Sequence, residues 1–179
     1  GEWNKVYLSV AFPTAGMRAP EEAALEIFAQ LLGGDETSRL YRTFKYEKRL
    51  VDSISASSMT LERGGMLYIG ATLDAANLAT FWKELLANLA ALRAEDFTAQ
   101  EIARAKLNLE DSLFRAKETI PGLAAKFGSF LFFGYGLEGE ANYLRASAQV
   151  DKAELAGVIA EVLRPGDLRA VALLPPVLG

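Results

Sequence analysis

Any chemistry in this chain has to be done without imidazole or thiolate, because its 179 residues include neither His nor Cys. That removes Ser-His-Asp and Cys-His catalysis, together with the ligands on which zinc and other transition-metal sites mainly draw. Carboxylate pairs, Ser/Lys pairs and oxygen-ligated Mg or Ca remain. The acidic pairs Glu21 with Glu22, Glu95 with Asp96 and Glu110 with Asp111 are adjacent in sequence. Adjacent side chains diverge on a helix, so these pairs read as solvated faces or dipole complements. No Ser-x-x-Lys spacing occurs, and Ser38 stands where a helix cap belongs. The glycine pair Gly33 and Gly34 follows a helical pattern and lacks the later Gly-Lys-Ser/Thr of a phosphate loop, so it reads as a helix stop.

One local charge anomaly stands out, the run Arg39, Arg42, Lys45, Lys48 and Arg49. A basic helix face of this kind is either solvated or holds an anion, a peptide carboxylate or an acidic partner. The chain as a whole carries 19 basic and 23 acidic residues, a net charge of -4, which gives no electrostatic footprint for nucleic acid. No run of eighteen apolar residues and no charged-then-apolar leader occurs, so neither a membrane span nor a signal peptide is expected. Without thiols the chain is indifferent to redox compartment.

These residues must be positioned by elements that the pattern announces. Val6, Leu8, Val10 and Phe12 alternate with Tyr7, Ser9 and Ala11 as a half-buried strand, after which Pro13 removes a ladder donor. Pro20, Glu21 and Glu22 open a helix whose stripe is Ala24, Ile27, Phe28, Leu31 and Leu32. Leu40, Tyr41, Phe44 and Lys48 predict a short basic helix ending near Arg49. Strands are expected over 52–59 and 66–73, turned at Arg63, Gly64 and Gly65. A long amphipathic helix follows over 75–94, with Leu78, Phe81, Trp82, Leu85, Leu89 and Leu92 as its stripe.

Thr98 with Glu101, and Asp151 with Glu154, are capping-box spacings that start two further helices. Pro121 and Gly122 interrupt the run before an aromatic cluster from Phe127 through Phe130 and Phe133 to Tyr135, either core or a packing surface for another domain. The last helix stops before Pro165, and a closing strand covers 168–174. Strand, two helices, two strands, several helices, strand is not an alternating order. It predicts an α+β fold, a mainly antiparallel sheet covered by helices on one face, with 1–179 as a single domain.

Several of these segments together resemble one family. Leu31-Leu32-Gly33-Gly34, Ser38-Arg39-Leu40, Phe44-Lys45 and the stretch 50–55 are similar to the C-terminal, non-zinc half of the pitrilysin/insulinase-type zinc peptidases, relatives of the mitochondrial processing peptidase. The segment 97–106 is similar to that family's Thr-x-x-Glu-Leu-x-x-Ala-Lys helix start, and 149–162 with the closing strand resembles its tail.

The resemblance implies a non-catalytic half-domain forming one wall of a peptide-enclosing chamber, without metal or activity of its own. It implies no cofactor in this chain and zinc in a partner half, where an inverted His-x-x-Glu-His motif would hold it. The implied partners are that zinc-bearing N-terminal half, fused or separate, a peptide substrate, and a second copy of the chain as a homodimer. In the family an Arg and a Tyr seven residues later hold the substrate backbone. Those positions fall on Lys45 and Asp52, so a cation without the planar fork and an anion replace the expected donors. Lys45 and Asp52 are thus the candidate substrate-binding residues, and being of opposite charge they are expected to pair. The other implied reading is a degenerate scaffold or regulatory subunit outside proteolysis.

Overall fold

The computed structural model describes residues 4–16, 22–132, 136, 138–164 and 166–176. Pro20, Glu21, Phe133, Tyr135, Pro165 and the Phe130 side chain, which the sequence reading used, lie outside the described residues.

The alternating segment at the start forms β1 (Val6–Thr14), and helix α1 (Glu22–Gly33) follows. Next come a single α-turn, α2 (Arg39–Tyr41), and a π-helix over Arg42–Glu47, then β2 (Ser53–Thr60) and β3 (Gly65–Leu73). Helix α3 (Leu78–Ala91) starts after a 3-10 turn, and α4 (Ala99–Arg115), α5 (Ile120–Phe132), α6 (Gly139–Gln149) and α7 (Lys152–Val162) lead to β4 (Arg169–Leu173). Among the described residues the strands form one antiparallel sheet in the order β2-β3-β1-β4. The α+β architecture expected from the element order is the one found.

Strand register sorts the sheet into two faces of different chemistry. Leu8 stands opposite Ala71, itself opposite Ile54, and Val10 opposite Ile69 and Ala56 in turn. These residues are buried and join Ile27, Phe28, Phe81, Leu85 and Leu155 from the helices in one core. Helices therefore cover this face. On the other face Tyr7 lines up with Thr72 and Ser53, Ser9 with Gly70 and Ser55, and Ala11 with Tyr68 and Ser57. None of those residues is buried.

Two aromatic contacts lock the helix layer. Phe28 of α1 meets Phe97 edge-on at 6.5 Å, and Phe44 meets Phe81 of α3 at 5.1 Å and 83°. All four rings are essentially inaccessible, so truncating any of them to Ala costs about 3–5 kcal/mol. Both capping boxes form as expected. The Thr98 hydroxyl accepts from the Glu101 N–H at 3.2 Å and the Glu101 carboxylate accepts from the Thr98 N–H at 2.8 Å. Asp151 and Glu154 repeat the exchange at the start of α7.

Two local expectations are corrected, and one is sharpened. The basic helix is not a continuous α-helix to Arg49, because from Arg42 the ladder widens and the Lys48 N–H reaches back to the Thr43 carbonyl. Gly33 ends α1, as a helix stop should. A Cβ there would stand 2.3 Å from the Ala56 nitrogen, so the glycine marks where α1 approaches β2 most closely. Helix α3 stops at Ala91 instead of running to Ala94, and a 3-10 turn over Ala94–Asp96 carries the chain into α4.

Helix α6 is tied to its neighbours by polar contacts. The Tyr143 hydroxyl donates to the Glu26 carboxylate of α1, while Glu140 accepts from Lys117 at 2.5 Å and faces Lys126 of α5 at 3.4 Å. Burial pushes the Glu26 carboxyl above its usual range, against the opposing pull of the Tyr143 hydrogen bond.

Candidate substrate-facing site

Lys45 and Asp52 flank the end of the π-helix and the start of β2, and the structure gives each a different partner. The Lys45 ammonium donates to the Tyr41 hydroxyl at 2.6 Å and lies 4.7 Å from the centre of that ring. Asp52 pairs with Lys5 at 2.9 Å, and Lys5 also holds Asp74 at 2.8 Å. The expected pairing of Lys45 with Asp52 is therefore replaced by two separate contacts. Hydrogen bonds to Asp74 and Asp52 raise the Lys5 ammonium above its ordinary value, so the group stays charged between its two carboxylates. The Tyr41 hydroxyl likewise raises Lys45.

Most of the basic run is committed to neighbouring elements. Arg39 reaches Asp96 at 3.6 Å and lies over the Phe97 ring at 6.0 Å, Arg42 faces Glu101 at 3.7 Å, and Lys48 meets Glu84 of α3 at 2.5 Å. These partly exposed pairs orient the helix on α3 and α4 and add little to stability. Lys45 and Arg49 differ, since among the described residues neither forms an ion pair within 4 Å.

The π-helix brings in residues that the sequence reading did not single out as site residues. Tyr41 and Tyr46 meet edge-on with centroids 5.3 Å apart. Both hydroxyls point to Glu36, Tyr41 at 3.2 Å from one carboxylate oxygen and Tyr46 at 3.5 Å from the other. Tyr41 and Tyr46 are spaced five apart, a step that the π-helix brings onto one side and that a 3.6-residue reading overlooks.

Beyond the helix, the uncovered sheet face offers hydroxyls and ordered aromatic surface. Ser9 and Tyr68 share a hydrogen bond at 3.1 Å across β1 and β3. The Tyr68 ring lies over Gly70, where a Cβ would come within 3.1 Å of it, so this glycine makes room for the ring. Such a face can pair polar and apolar groups of an extended chain. It holds no nucleophile next to a base.

A zinc ion has no seat among these residues. Imidazole and thiolate are missing from the sequence, and among the described residues no three Asp or Glu side chains cluster as metal ligands. No helix of the described residues is long and apolar enough to cross a membrane.

Comparison with solved structures shows where this fold recurs. The inactive peptidase domain of a proposed zinc protease from Bordetella parapertussis superposes with a TM-score of 0.85 at 14% identity, covering 98% of this chain and 94% of that one. A protease from Helicobacter pylori superposes with a TM-score of 0.80 at 20% identity, covering 97% of this chain and 42% of its own. A peptidase M16 inactive domain structure from Pseudomonas fluorescens gives 0.79 at 17%, covering 98% and 42%. The chain thus spans about two fifths of the length of the latter two, and at these identities the likeness is one of fold. No curated protein matches the sequence at a significant level. Residues 1–109, more than half of the chain, match the family described as the peptidase M16 inactive domain. The chain, with its helix-covered antiparallel sheet, belongs to the family of the peptidase M16 inactive domain.

Proposed function

We propose that this chain is the non-catalytic half of a two-domain zinc metalloendopeptidase and forms one wall of a peptide-enclosing chamber opposite the zinc-bearing half. The observation that carries this reading is the sheet face that no helix of the described residues covers. Its rows of Tyr7, Ser9, Ser55 and Tyr68 present hydroxyls and aromatic edges to whatever lies opposite. Zinc and the general base belong to the partner half. This chain supplies surface.

Helix α5 supports the presence of that partner. Ile120 is 85% exposed and Phe132 82%, with Phe127 and Leu131 about half exposed on the same helix. An apolar helix whose described side chains are all at least partly exposed suits a second domain better than water. In this reading Lys45 meets the peptide as a cation. Asp52, held by Lys5, meets it as a neutralised anion that repels a developing oxyanion less than a free carboxylate would.

The test is cleavage of a quenched peptide library by the chain alone, and after mixing with a zinc-bearing half of the same source, with a chelator control. Chelator-sensitive activity in the mixture alone is the expected result. Activity of the isolated chain, or a stable complex that never cleaves, overturns it. The second outcome favours the scaffold reading, which the capture of Asp52 by Lys5 supports. In an active mixture, Lys45→Arg with Asp52→Tyr changes the rate if these positions meet substrate.

A further inference from the structure

The π-helix does more than bend the chain toward β2. Tyr41 and Tyr46 each direct a hydroxyl to a different oxygen of one carboxylate, that of Glu36. The Lys45 ammonium donates to the Tyr41 oxygen, which leaves the Tyr41 proton for the carboxylate and makes that hydroxyl a stronger donor. Two phenols spaced for the two oxygens of a carboxylate, with a cation behind one of them, form a carboxylate receptor already loaded with an internal ligand.

We propose that Tyr41, Lys45 and Tyr46 bind a carboxylate of the peptide, either its C-terminus or an Asp or Glu side chain, and that Glu36 occupies the site until the ligand displaces it. The proposal rests on the reading of this chain as a peptide-facing wall. Access supports it, since Tyr46 is 53% exposed and Glu36 lies on the open connection between α1 and α2. Charge supports it too, because Arg39, Arg42 and Lys48 are committed to acids while Lys45 faces only the phenols and the displaceable Glu36.

The experiment titrates the full chain, followed by NMR, with three probes: N-acetyl-tetra-alanine as free acid, the same peptide as its amide, and the amide with a central Glu. The free acid is expected to shift the Tyr41 and Tyr46 ring signals and the Lys45 side chain, and to bind about tenfold more tightly than the plain amide. The Glu-containing amide reports whether a side-chain carboxylate serves as well as the terminus. Glu36→Gln tightens acid binding, while Lys45→Met and Tyr46→Phe weaken it, all three sites being exposed enough to leave the fold intact. Equal binding of acid and amide, or an acid affinity unchanged by Lys45→Met, overturns the carboxylate site. If the peptides still shift Tyr7 and Tyr68 on the open face, the chamber-wall reading survives that failure. Acid-selective shifts at Tyr41 and Tyr46 with an unmoved open face support the carboxylate site and overturn the wall.

Discussion

Tyr46 meets the ring of Tyr41, five residues earlier, edge-on at 5.3 Å and 67°. On an α-helix a five-residue step rotates by about 500°, placing the two rings on different faces, so the contact exists only because the backbone runs as a π-helix here. Leu40 and Phe44 remain in the core on the opposite side. The turn thus satisfies the core and gathers the polar cluster at once.

Arg49 is the non-glycine residue whose φ, 53°, lies in the left-handed region among the described residues. For a side chain with a Cβ that conformation costs about 1–2 kcal/mol, against which glycine's greater freedom in the unfolded chain has to be set. Arg49→Gly is therefore expected to stabilise the chain by roughly 0.5–1 kcal/mol, read from the urea midpoint. A loss of stability would mean that the Arg49 side chain contributes more than its backbone costs.

Two glycines predict opposite signs for the same substitution. A methyl on Gly33 would meet the backbone of β2 at Ala56, where neither element can yield cheaply, so Gly33→Ala should cost about 1–3 kcal/mol. Gly157 sits inside α7, and a methyl there meets nothing within 4 Å, so Gly157→Ala should gain roughly 0.5–1 kcal/mol. Equal effects in thermal or urea denaturation would contradict the close approach of α1 to β2.

What could be read in advance was whatever depends on neighbours in sequence. The alternation in Val6 to Phe12 and the three-residue spacings of Thr98 with Glu101 and Asp151 with Glu154 carry their structure locally, and each formed as expected. Helix α6 had no such signature, because the residues it buries are Gly139 and Ser147 and not an apolar stripe. The π-turn was hidden because Leu40 and Phe44, four apart, satisfy an α-helical reading equally well. The partners of Lys45 and Asp52 were not legible. Lys5 comes to Asp52 from the start of β1 only once the sheet has assembled, and Tyr41 meets Lys45 through a side-chain hydrogen bond that spacing alone does not distinguish from a solvated pair.

Glu26 offers a test of how α6 is held to α1. Burial pushes its carboxyl above the usual range, Tyr143 of α6 donates to it, Glu22 on its own helix adds repulsion and Lys126 of α5 pulls the other way. With the folded pKa above the unfolded one, the native state holds the extra proton between the two values. The group's contribution is then full below the unfolded pKa, about 4.3, and is lost as pH rises through the folded pKa. Glu26→Gln keeps an oxygen to accept the Tyr143 hydroxyl but cannot titrate. The parent should therefore lose stability relative to Glu26→Gln as pH rises from 4 through the raised folded pKa, measured as the difference in urea midpoints at each pH. A constant difference across that window would mean that Glu26 ionises in the folded chain as freely as in the unfolded one, and that Tyr143 meets an ordinary surface carboxylate.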